Sequence, residues 1–199
     1  MPIKNLCLTE EALDQSMHLF WQRGYFNTPI DELVKISGLN RATIYKQFGG
    51  KEGLFVAMLQ RYRHNMTSQF FAPLHHIEDG IKAIHTFFDQ FIDLSEQGQM
   101  QYGCFFIATA SEIPSHQPMT KTIIETFFND LKDLFYQALE RGKAQNQLNK
   151  SMDCQACSSF LVANIFGLFT LARAMNNPTL VHEQVAMIKA FLQTYQVPH

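Results

Sequence analysis

Apolar residues recur at steps of three and four along nearly the whole chain, and strand-like alternation is scarce. The backbone and the hydrophobic pattern are satisfied together only by helices from end to end, an all-α fold. Punctuation residues set the helix bounds. Thr9, followed by Glu10 and Glu11, opens a helix that runs to Arg23 with Leu13, Met17, Phe20 and Trp21 on one face, and Gly24 closes it. Thr28-Pro29-Ile30-Asp31 reads as a capped start with Pro at the first helical position, and this second, short helix ends near Ser37-Gly38. Asn40 caps a third helix that stops at Phe48 before Gly49-Gly50. A fourth starts at Lys51-Glu52 and extends to about Ala72, where Pro73 disrupts it. Further helices are expected at about 77–96, 104–113, 118–146, 153–175 and 179–195, about nine in all.

Two short helices joined by a turn containing Gly38 have the spacing of a helix-turn-helix, here residues 29–48, whose second helix can lie in the DNA major groove. In that helix the periodicity turns Ile44 and Phe48 inward and leaves Arg41, Ala42, Thr43, Tyr45, Lys46 and Gln47 outward. Arg and Gln suit base edges, while Thr, Tyr and Lys suit phosphate oxygens. Each residue also has an ordinary role: Thr28 caps a helix with or without DNA, Tyr45 is partly core, and Lys46 and Lys51 are solvated charges. The net charge of −2 hides an asymmetry, with eight Lys and Arg against six acids in residues 1–66 and eight against twelve in the rest. A polyanion therefore meets least repulsion at the N-terminal third.

The order Leu19-Phe20, Gly24-Tyr25, Thr28, Asp31-Glu32-Leu33, Ser37-Gly38-Leu39, Ala42-Thr43-Ile44-Tyr45, Phe48 and Lys51-Glu52-Gly53-Leu54 resembles the TetR family over about residues 6–66. The resemblance implies a three-helix DNA-binding domain at 6–66 and a helical effector-binding and dimerisation domain at 67–199. It also implies a homodimeric, ligand-responsive repressor of transcription on a near-palindromic double-stranded operator, in the cytoplasm. Carried residue by residue, it gives phosphate contacts to Thr28, Thr43 and Tyr45, and to Lys51 at the start of the fourth helix. Base reading falls to Arg41, Ala42 and Lys46, with Gln47 beside them. Gly50 departs from the pattern, since members often carry a Ser there that caps the fourth helix.

The last two helices are apolar on wide faces: Phe160, Ala163, Ile165, Phe166, Leu168, Phe169 and Leu171 in one, Val181, Val185, Ile188 and Leu192 in the other. A helix apolar nearly all round needs cover on both sides, and pairing with a second copy as a four-helix bundle supplies it. A monomeric core is the alternative. Helices five to eight hold a large aromatic stock, and ligand pockets in helical domains are apolar with few polar groups. Phe88, Phe91, Cys104, Phe105, Phe128 and Asn164 are the candidate effector contacts, and His85, Thr109, Glu112 and Arg173 are further polar groups of the same region. Gly103-Cys104-Phe105-Phe106 resembles a segment of TetR regulators that respond to electrophiles or oxidants. A thiol at a helix N-terminus has a lowered pKa, so thiol-based sensing at Cys104 is one expectation and a buried thiol the other.

No apolar run reaches the roughly 18–20 residues that span a bilayer, and the N-terminus lacks the form of a secretory signal. The four cysteines, Cys7, Cys104, Cys154 and Cys157, are expected as free thiols, the last two in a helix rather than a metal or redox centre. No Ser/His/Asp order, H-E-x-x-H or Gly-rich phosphate loop is present, so neither an enzyme nor a cofactor is expected. A DNA-binding architectural protein without an effector is the rival; sequence preference separates the two.

Overall fold

In the computed structural model, which describes residues 9–197, α1 (Glu10–Arg23) begins where Thr9 caps it, Oγ1 accepting from Ala12 N at 3.1 Å. It ends where Gly24, at φ +77°, donates its N–H to the Phe20 carbonyl at 2.8 Å. Cys7 and the expected domain start at residue 6 lie outside the described residues. Next come α2 (Ile30–Ser37), α3 (Arg41–Phe48) and α4 (Lys51–Asn65). The expected fourth helix to Ala72 is corrected. The chain leaves α4 through a π-helical turn, Met66–Phe70, closed by Phe71 N–H to Met66 O at 3.0 Å, and starts α5 (Ala72–His76). Pro73 stands in the first turn of α5, where a missing N–H goes unnoticed, so it opens a helix rather than closing one.

The remaining helices are α6 (Gly80–Glu96), α7 (Phe105–Ala110), α8 (Pro118–Ala144), α9 (Cys154–Met175) and α10 (Pro178–Gln193), with a 3₁₀ turn at Ile113–Ser115. Asp79, Asp153 and Asn177 cap α6, α9 and α10 through side-chain oxygens. The described residues thus hold ten α-helices, the extra one being α5, and no strand beyond an isolated antiparallel bridge between Leu148 and Gln196.

Two compact units form. One comprises the described residues through His64 together with Cys104–Ile124; the other comprises Asn65–Gly103 and the chain from Glu125 onward. In the first, Phe20, Leu33, Leu39, Ile44 and Leu54 are wholly buried. Phe20 meets Phe55 edge-on at 5.0 Å, and Phe55 meets Phe105 of α7 in the same manner at 5.6 Å, each worth about 1 kcal/mol beyond its burial. Arg61 of α4 reaches back to Asp14 of α1 at 2.8 Å.

In the second unit Phe87, Phe88, Phe91 and Phe135 are fully buried against one another. Helices α6 and α8 cross closely: a Cβ on Gly80 would stand 2.1 Å from the Ala138 carbonyl oxygen. By length and composition α9 is apolar enough to cross a membrane, which corrects the expectation that no segment qualifies. Its Cys157, Leu161, Ile165, Leu168 and Ala172 are nevertheless buried within the unit.

Candidate nucleic-acid interface

The helix-turn-helix is fixed by local bonding before any partner is considered. Gly38, at φ +69°, caps α2 with its N–H on Val34 O at 3.1 Å, and Ser37 Oγ accepts from Leu39 N at 3.2 Å. Leu33 and Leu39, both wholly buried, pin that turn to the core. Asn40 Oδ1 accepts from Thr43 N at 2.7 Å and starts α3, and Gly49, at φ +77°, ends it with its N–H on Tyr45 O at 3.0 Å. With both ends of the eight-residue α3 capped in this way, Ile44 is wholly buried and Phe48 half-buried.

The opposite side of α3 is exposed. Arg41, Ala42, Tyr45, Lys46 and Gln47 face solvent together, with Thr43 half-buried at their edge and Tyr45 59% exposed despite its ring. Arg41 donates from Nε to Asp31 Oδ1 at 3.1 Å and also from Nη2, and these bonds hold its guanidinium above its ordinary pKa. Lys51 opens α4, half-buried, with its ammonium 4.1 Å from the centre of the Tyr25 ring. Burial lowers the Lys51 pKa, opposed by the charges of Glu52 and Glu112. Burial, with a hydrogen bond to Glu52, pushes the Tyr25 phenol up to about 12.

Thr28 is a correction. Its residue is wholly buried and its hydroxyl donates to the Gly24 carbonyl at 2.7 Å. The N-cap of α2 is Pro29, with no side-chain cap bond, so Thr28 does not cap α2 but ties the α1–α2 turn. Burial and that bond leave its hydroxyl nothing to offer a phosphate.

The candidate effector residues are not brought together. Phe88 and Phe91 are fully buried in the second unit, Phe128 packs on Phe166 at 4.4 Å, and Asn164 donates from Nδ2 to Phe160 O of its own helix at 2.9 Å. Cys104 and Phe105 belong to the first unit. The expected lowering of the Cys104 pKa is corrected: burial raises it, outweighing the N–H groups of Phe106 and Ile107 and the Tyr62 hydroxyl, which donates to Sγ at 3.6 Å. Cys154 and Cys157 are free and buried, as is Cys104, and burial raises their thiols to about 11 and about 12. A cavity of about 430 Å³ in the second unit is lined by His85, with Asp79, Lys82, Asp89, Gln147 and Lys189.

Three features of the interface region escaped sequence reasoning. Asp31 holds Arg41, and only the turn geometry brings them together. Gly53 stands where a Cβ would lie 1.7 Å from the Phe48 carbonyl oxygen; a Gly in the first turn of a helix was the available signal. The His116 ring stacks on Phe55 at 5.2 Å, with Nε2 3.5 Å from Glu112.

Comparison with known proteins agrees with this geometry. Residues 12–58 match the model of bacterial regulatory proteins, tetR family, and residues 80–188 match the tetracyclin repressor-like C-terminal domain. The HTH-type transcriptional repressor ComR of Escherichia coli is 29% identical over 166 residues, covering 82% of this chain and 79% of ComR. A TetR transcriptional regulator from Chloroflexus aurantiacus superposes with a TM-score of 0.84 at 21% identity, over 94% of each chain. A cysteine mutant of the TetR family regulator CifR, solved with 26-base-pair double-strand operator DNA, gives 0.79 at 19% identity, over 98% of this chain and 100% of that one. With its N-terminal helices and more than half its length matched to profiles of one family, and with an outward polar face on α3, the chain belongs to the TetR family of helix-turn-helix DNA-binding transcriptional regulators.

Proposed function

We propose that the protein is a cytoplasmic, ligand-responsive repressor that binds a near-palindromic operator as a homodimer through α3. The observation that carries this reading is the division of α3. Ile44 is buried, while Arg41, Ala42, Tyr45, Lys46 and Gln47 face solvent together among the described residues, four of the five bearing polar groups. Arg41, Ala42, Lys46 and Gln47 read base edges; Thr43, Tyr45 and Lys51 hold phosphates, Lys51 adding the free N–H groups that open α4. DNA binding belongs to a domain spanning residues 6–66, and effector binding and dimerisation to 67–199, with Cys104–Ile124 folded in the first unit as the part of the second region placed to report on the first. A small-molecule effector held by the second unit would favour one spacing of the paired recognition helices over another. A few kcal/mol of differential affinity suffices for such a switch.

Footprinting of the DNA beside the protein's own gene, followed by affinity measurement on the protected segment and on random duplex, tests the reading. Tyr45→Ala is expected to weaken binding to both DNAs by a similar factor, whereas Arg41→Ala weakens the operator about tenfold more than random DNA. Equal behaviour of the two variants would overturn the division of roles. A protein that bound the two DNAs equally tightly would be architectural instead.

A further inference from the structure

We infer that Asp31 is a positioning residue for base reading: its carboxylate on α2 fixes the Arg41 guanidinium at the head of α3 and thereby sets how strictly the operator is told from other DNA. The inference rests on Arg41 being a base reader. Its ground is the convergence of two donors of one guanidinium, Nε at 3.1 Å and Nη2, on a single oxygen, Asp31 Oδ1. Two bonds from one edge of a planar group fix its plane and leave the Nη1/Nη2 edge turned away from the carboxylate. That second edge is the fork that matches paired acceptors on a base.

The pair does little for the fold. The two side chains are 57% and 74% exposed, and ion pairs in such surroundings add almost nothing to stability. Its consequence lies in binding, where a long side chain already held in place loses less freedom when it docks. The neighbouring acid, Glu32, is engaged by Arg23 of α1 and half-buried, so Asp31 is the carboxylate that α2 extends to the recognition helix. A carboxylate beside the recognition helix also repels phosphates wherever the guanidinium finds no matching base, which weakens binding to the wrong sequence in particular.

The test uses the full-length protein and fluorescence anisotropy on the footprinted operator and on a random duplex of equal length. The proteins compared are the parent, Asp31→Asn, Asp31→Glu, Arg41→Ala and the Asp31→Asn/Arg41→Ala double variant. Asp31→Asn is expected to reduce the operator-to-random affinity ratio about five- to tenfold, chiefly by tightening random binding and loosening operator binding, without moving the thermal midpoint. Asp31→Glu, which keeps the charge on a longer arm, recovers part of the ratio. In the Arg41→Ala background Asp31→Asn shifts both affinities by one common factor. An unchanged ratio in the parent background, or the same loss of ratio with Arg41 absent, overturns the inference while leaving Arg41 as a reader. An Arg41→Ala variant with an unaltered ratio removes the base-reading assignment itself.

Discussion

Cys104 and Thr28 show how burial reassigns a side chain whose chemistry looks functional. Cys104 precedes α7, where a helix N-terminus favours a thiolate, yet it is only 4% exposed and accepts the Tyr62 hydroxyl's hydrogen bond. Desolvation of the anion outweighs the few N–H groups that favour it, and the thiol is held above its ordinary value. Two results are expected. Peptide mapping after iodoacetamide treatment at pH 7.5 will find Cys104 unmodified in the native protein and modified after unfolding in urea; native labelling at the rate of free cysteine would contradict its burial. The second result follows from the direction of the shift. A folded-state pKa above the unfolded one gives stability that is complete below the ordinary thiol value and disappears as the pH rises through the folded value. Tyr62, Cys154 and Cys157 are shifted the same way. The urea midpoint should therefore hold steady around neutrality and fall above about pH 9; a midpoint that rose there would reverse the sign.

Helix ends were readable where a residue acts on its own neighbours, and unreadable where a distant segment decides. Thr9, Asn40, Gly24 and Gly38 each bond within four residues, and the bounds of α1, α2 and α3 match the expected ones to within a residue. The exit from α4 was misread because Pro73 serves equally as a stop and as a first-turn residue, and nothing local separates these. The outward face of α3 was readable from its period. Its tie to Asp31 was not, nor was the place of Cys104–Ile124, because contacts such as Tyr62 with Cys104 and Thr120 with Glu52 join residues 42 and 68 apart in sequence. Gly53 is the sharpest case. As a glycine early in a helix it looks like a site that alanine would improve by about 1 kcal/mol. The Phe48 carbonyl oxygen, 1.7 Å from where a Cβ would stand, is backbone and cannot swing aside. Gly53→Ala is expected to destabilise the protein by about 1–3 kcal/mol in urea unfolding, and to weaken operator binding because Phe48 ends the recognition helix. Stabilisation would show that α3 and α4 yield more easily than their contact suggests.

For the whole molecule, the question is what covers the second face of α9. Its inward stripe is filled, while Phe160 (40% exposed), Ala163, Gly167, Leu171 (37%) and Met175 (58%) follow one another at helical spacing on the other side. Phe160 meets Phe191 of α10 at 4.5 Å, which carries the apolar surface across to the helix that exposes Met187 at 65%. An apolar surface spanning two adjacent helices fits a second copy of itself about a twofold axis, consistent with a family whose members bind operators as dimers. Such pairing would also account for the apolarity of α9 without a bilayer, since half of the helix faces its own unit and the other half would be covered by the second copy. Leu171→Glu combined with Met187→Glu should leave helix content unchanged by circular dichroism, because both positions face solvent in a single chain. Sedimentation should then show a monomer. Operator affinity should fall by about a hundredfold or more, since a half-site held by one recognition helix lacks the effective concentration that the paired chain supplies. Random-duplex binding should change far less, because one chain's phosphate contacts survive. A variant that stayed dimeric would place the interface elsewhere; one that became monomeric and kept its operator affinity would show that a single copy of α3 suffices.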